Sequence, residues 1–115
     1  MYYFSAKEPA EPLVLTRNEQ ICGQTCQYLK RHQIDAIRFV HSHLSKGDFC
    51  ILNDESGLGK TAVVSALLGA VIGNTNKKCL IIVNDELLMN GWLFHLNLFT
   101  DLSSAAISDK GKKLT

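Results

Sequence analysis

An apolar run, Phe49-Cys50-Ile51-Leu52, leads into Asp54-Glu55-Ser56-Gly57-Leu58-Gly59-Lys60-Thr61, and a long apolar stretch follows from Ala62. A buried strand, a glycine-containing loop and a helix in that order permit few folds. The strict phosphate-loop pattern, G-x-x-x-x-G-K-[ST], fails here because Asp54 holds the first glycine position. What remains is Gly57-Leu58-Gly59-Lys60-Thr61. Its chemistry suits a phosphate. Glycines let backbone N–H groups turn inward around an anion, and the start of the helix adds the positive end of its dipole. Lys60 supplies a point charge for the β and γ phosphates, and the Thr61 hydroxyl is a ligand for Mg²⁺. The bland alternative is a glycine turn followed by an exposed lysine.

The remaining patterning predicts further elements. Leu13-Val14-Leu15 fits a short strand within an otherwise featureless lead-in, residues 1–24. Apolar residues at Leu29, Ile34, Ile37, Val40 and Leu44, with Phe39 beside them, predict helix from Thr25, as N-cap, to Lys46. A break before Gln33 leaves open one helix or two. Lys46-Gly47 is a stop signal. Phe49–Leu52 and Cys79–Val83 are continuous apolar runs of the kind found in strands covered on both faces. Helices are expected from Thr61 to Ile72 and from Asp85 or Glu86 to Phe99, the second with Leu88, Trp92, Leu96 and Phe99 on one stripe. Residues 25–102 thus read as the opening of a doubly wound α/β lobe with a parallel sheet, and 103–115 as a polar end. Two strands do not make a stable sheet of that type, so the lobe is expected to be incomplete.

Composition narrows the function. Hydrophobic residues make up 46% and charged residues 20% of the 115, a globular balance. The net charge of +1 supplies no global basic field, so any nucleic-acid contact is local. No apolar run is long enough to cross a bilayer, and Met1–Pro12 lacks the order of a signal peptide. A reducing compartment is expected, with Cys22, Cys26, Cys50 and Cys79 as free thiols. Cys50 and Cys79 read as small core hydrophobes. Cys22 and Cys26 with His41 and His43 do not have the spacing of a closed zinc site.

Asp-Glu-x-Gly-x-Gly-Lys-Thr at 54–61 resembles the first motif of the Swi/Snf-type ATPases, a branch of the superfamily-two helicases. Leu29-Lys30-Arg31-His32-Gln33 with Ala36-Ile37-Arg38-Phe39 is similar to the family's adenine-reading segment. Leu80–Val83 with Leu87-Leu88 and Gly91-Trp92 resembles its next motif, which grips the DNA backbone. The resemblance implies a RecA-like (P-loop) lobe and ATP with Mg²⁺ as cofactors. It implies Gln33, Asp54, Gly57, Leu58, Gly59, Lys60 and Thr61 as nucleotide-binding residues, with Thr61 toward Mg²⁺. His32 replaces the usual tyrosine, Asn84-Asp85 the usual proline, and Gly91 the usual asparagine. The stretches 49–60, 84–86, 91–96 and 100–102 narrow the resemblance to a diverged, chromatin-associated member that restrains replication of heterochromatin.

Those features imply a nuclear, chromosomal role, with DNA or chromatin proteins as partners and no membrane. They also imply a longer chain carrying a second ATPase lobe or a chromatin-binding region. Hydrolysis is not expected of these residues alone, because the second lobe's arginine is missing. The alternatives are an active DNA-dependent ATPase of the remodelling or repair kind and a small stand-alone phosphate-loop protein. The latter would use Asp85, at the end of an apolar run, as its acid. A cap on the following helix is the bland reading of Asp85 and Glu86.

Overall fold

A computed structural model describes residues 10–53, 59–73 and 75–107 of the chain. Strand β1, Leu13–Thr16, pairs antiparallel with β2, Glu19–Ile21, with Leu13 opposite Ile21 and Val14 opposite Gln20. Arg17 and Asn18 form the connection, where the Asn18 N–H donates to Thr16 Oγ1 at 3.3 Å. A register irregularity between Val14 and Thr16 twists the ribbon. Leu13 and Ile21, opposite each other, both enter the core.

Two helices follow, not one. Helix α1, Gly23–Cys26, is capped by Cys22, and Thr25 lies within it as a buried residue, not as the expected N-cap. The chain then breaks, and α2 runs Arg31–Ser45. The break has a local cause: Lys30 is extended, and its N–H donates to Gln33 Oε1 at 2.8 Å, which satisfies a backbone donor at the new helix start. Gly47, at φ +74°, takes the left-handed conformation that ends α2.

Helix α3, Lys60–Ile72, is the centre of the fold. Its sequence, KTAVVSALLGAVI, is apolar on nearly every side, as in a helix surrounded by protein. It packs against β2, α2 and the last helix, α4, Glu86–Phe99. Ile37, Val63, Ala66 and Leu67 join Leu13, Ile21, Cys26 and Leu29 in one core. Burying Val63 and Leu67 contributes about 1.5–3 kcal/mol each. His41, one turn beyond Ile37 on the buried side of α2, donates from Nε2 to Glu19 Oε1 at 3.0 Å and fastens the hairpin to α2.

The α/β composition agrees with expectation, but the parallel sheet does not form among the described residues. Residues 49–52 and 79–83 have no ladder partner, and the two-stranded hairpin is the sheet that is present. Burial in both runs alternates. Phe49, Ile51, Leu80 and Ile82 are 90, 79, 84 and 85% exposed, while Leu52 packs on the core. The helices cover one face only, and two runs without neighbouring strands cannot cover the other. Cys79 is accordingly exposed and Cys50 half-buried, not core residues. The expected stripe of α4 also narrows: Leu96 and Phe99 are buried, whereas Leu88 is exposed and Trp92 half-buried.

One close approach explains a glycine inside α3. A Cβ on Gly69 would stand 2.9 Å from Thr100 Cγ2, just past the end of α4. Gly69→Val is expected to lower unfolding stability by about 1–3 kcal/mol, because a branched side chain overpacks that contact. Ser65 gives the opposite sign. Its hydroxyl is buried with no hydrogen-bond partner among the described residues. Ser65→Ala is expected to raise stability by about 1 kcal/mol. Denaturant melts of both variants check the pair.

Candidate nucleotide site

The described part of the loop is its exit. Gly59 stands at φ +78°, the left-handed region that an L side chain strains to enter, and its carbonyl accepts from the Val63 N–H at 3.1 Å. This turn delivers Lys60 and Thr61 into the first turn of α3. Both are half-buried. The positive end of the helix dipole, an ammonium side chain and a hydroxyl side chain therefore belong to the same first turn. These are the donors that a phosphate with its Mg²⁺ requires. Asp54, Glu55, Ser56, Gly57 and Leu58 lie outside the described residues.

Gln33 is 1% exposed, on the side of α2 that turns toward the core. Its carboxamide oxygen holds the Lys30 N–H. The open side of the same helix carries His32, Asp35, Ala36 and Phe39, at i, i+3, i+4 and i+7, one face of an α-helix. Together with Ile51, Leu52 and Asn53 these residues line a cavity of about 400 Å³. Its second wall runs directly into the loop. Phe39 adjoins the apolar stripe in sequence but belongs to this open face. The 32-35-36-39 spacing, with polar members on an otherwise core-forming helix, was the available signal. Asp35 also borders a second cavity, where Arg31 and Arg38 flank residues 10–13.

The other candidates fall into structural roles. Asp85 is the N-cap of α4, its Oδ1 accepting from the Leu88 N–H at 2.8 Å, and Glu86 lies in the first turn. Both acids are exposed. The cap geometry matches the bland reading of this pair. His41 bonds Glu19, and His43 donates from Nδ1 to the Phe39 carbonyl at 2.9 Å. Cys22 Sγ lies 3.4 Å from Thr25 Oγ1, and Cys26 donates to the Ile21 carbonyl. Among the described residues no three metal-ligating side chains cluster. Burial pushes the Cys26 thiol up, with a smaller push from Cys22 and an opposing backbone hydrogen bond at Leu13. Trp92 is half-buried, Phe94 exposed, and Phe99 packs near Tyr28. Among the described residues no helix is long and apolar enough to cross a membrane.

Comparison with known proteins gives two kinds of match. The family model of the SNF2-related domain matches residues 32–114. The chain is 48% identical over 102 residues to the protein suppressor of underreplication of Drosophila erecta, which covers 89% of this chain and 10% of that protein. It is 41% identical over 46 residues to the DNA excision repair protein ERCC-6-like 2 of Mus musculus, covering 40% of this chain and 3% of that protein. The chain therefore spans about a tenth or less of the length of these relatives. No solved structure matches it.

Asp85→Ala is expected to cost about 1 kcal/mol of stability through the lost cap. Nucleotide binding, followed by equilibrium titration, is expected to stay unchanged. A loss of binding with intact stability would return Asp85 to the site. Thiol labelling supplies a second check. Cys22 and Cys79 are expected to react readily with iodoacetamide and Cys26 last, its thiol being buried and less ionised.

Proposed function

We propose, from the premise that this chain belongs to the SNF2-related domain family, that it forms part of the Swi/Snf-type lobe of a nuclear chromatin protein. In this reading the lobe binds ATP with Mg²⁺ and works chiefly by docking on DNA or on chromatin proteins. The observation that carries the nucleotide part is the turn at Gly59, which sets Lys60 and Thr61 at the N-terminus of a buried helix. Gly57, Leu58 and Gly59 would give backbone N–H groups to the phosphates, with Asp54 at the loop entrance. Lys60 would meet the β and γ phosphates, and Thr61 would hold Mg²⁺, whose charge stabilises phosphate oxygens. Gln33 would act by fixing the first turn of α2, beside which the base end of the nucleotide would lie.

The chromatin part rests on the similarity to the suppressor of underreplication. The departures at His32, Asn84-Asp85 and Gly91 favour docking over translocation, because they fall in segments where the family's active members read base and DNA backbone. A second reading, an active DNA-dependent ATPase, draws on the intact Lys60-Thr61 pair and on the similarity to the excision repair protein.

Lys60→Ala separates these readings. ATP affinity is expected to fall about tenfold or more, the effect of removing a charge-assisted contact. Chromatin association of the whole protein carrying this change is expected to persist. Association that disappears with Lys60 would contradict the docking reading. Phosphate release stimulated by DNA would decide for the active enzyme.

A further inference from the structure

We infer that the outer face of α4 is a docking surface for a positively charged amphipathic helix of another protein. Helix α4 is apolar on more than the side it buries. Leu96 and Phe99 are buried and hold it to the fold, with α3 as its main neighbour. Leu87, Gly91, Phe94 and Leu98 recur at steps of four, three and four residues, which is one stripe of an α-helix. Leu96 lies across the helix from that stripe. Leu87 is 81%, Phe94 55% and Leu98 45% exposed, and Leu88, 51% exposed, adjoins them. A helix with apolar residues on both sides gains from cover on both, and the fold covers one.

Spacing and charge together specify the occupant. Alternating steps of four and three residues are the period on which two helices mesh their side chains. A Cβ on Gly91 would meet nothing within 4 Å. The stripe therefore has a notch between Leu87 and Phe94, which seats one large apolar side chain of a facing helix. No Lys or Arg occurs between Lys78 and Lys110, whereas Asp85, Glu86, Asp101 and Asp109 all do. Glu86, Asn90 and Asn97 are exposed along one edge of the stripe, and the exposed Asp101 follows its end. The rim is thus acidic or neutral. A partner with Lys or Arg beside its apolar residues meets opposite charge there. A second copy does not. Pairing α4 with itself sets Glu86 near Glu86 of the other copy if parallel, or near its Asp101 if antiparallel, like charge against like.

The test is binding of the 115-residue chain to two fluorescent designed peptides, followed by anisotropy. Both peptides are helical, with leucines at alternating steps of three and four residues. One carries lysines beside the leucines, the other glutamates. The lysine peptide is expected to bind about tenfold tighter or more, because like charges across a rim are penalised, and added salt is expected to narrow the gap. Leu87→Gln combined with Leu98→Gln is expected to abolish binding of the lysine peptide. Both side chains are exposed, so the circular dichroism of this variant is expected to match wild type. Gly91→Lys separates docking from structure. It replaces a poor helix former with a better one and is expected to raise the denaturation midpoint, yet it fills the notch with the wrong charge and is expected to weaken the lysine peptide. No binding of that peptide to wild type, equal affinity for both peptides, or binding that survives these variants overturns the proposal. Sedimentation of the chain alone examines the other occupant. A dimer dispersed by Leu87→Gln with Leu98→Gln would assign the face to a second copy and overturn the proposal as well.

Discussion

A helix without a polar face has to be surrounded, and Lys60–Ile72 is such a helix. Each neighbour can be understood as part of its cover. The hairpin lays Ile21 against one side, α2 brings Ile37, and α4 closes a third side where Gly69 admits Thr100. Polar cross-links also join the covering elements. His41 joins α2 to Glu19 of the hairpin, and the Thr25 hydroxyl donates to the Phe99 carbonyl at 3.5 Å. Most of the cohesion is therefore non-directional apolar burial, and the polar links set orientation.

That constraint also fixes where the first turn of α3 lies. With α3 held on several sides, its N-terminus points to a fixed place, and the left-handed Gly59 leads directly into Lys60 and Thr61 in its first turn. Helix α2 packs on α3 through Ile37 and leaves His32, Asp35 and Phe39 exposed, with Ala36 at the border of the core. The first turn of α3 and the open face of α2 thus belong to two helices that share one core. Their spacing is set by the side chains of that core, the way a rigid scaffold fixes the groups it carries.

Much of this was legible in the sequence. Helices α3 and α4 match their expected ranges within a residue at each end, because apolar composition, Gly59 and the Asp85 cap are local signals. The stop at Gly47 and the strand at Leu13 were legible for the same reason. The two buried strands were not. Phe49–Leu52 and Cys79–Val83 have strand composition, yet ladder formation depends on neighbours that no local pattern supplies. The partner strand Glu19–Ile21 was hidden because three residues, two of them polar, carry no periodicity. Gln33 shows the limit of reasoning by residue type: a glutamine three residues after an extended lysine is as well suited to closing a helix start as to reading a base. In the structure Gln33 is buried and its carboxamide oxygen holds the Lys30 N–H.

The central proposal is that the first turn of α3 and the N-terminal part of α2 are two ends of one nucleotide site. Hydrogen exchange of the chain with and without a non-hydrolysable ATP analogue and Mg²⁺ tests it directly. The expected result is slowed exchange in two separated stretches, around 57–63 and around 32–39 together with 51–53, with the hairpin at 13–21 unchanged. Protection confined to the loop would leave α2 outside the site. Protection at neither stretch, under ligand concentrations that saturate related ATPases, would contradict the nucleotide reading altogether.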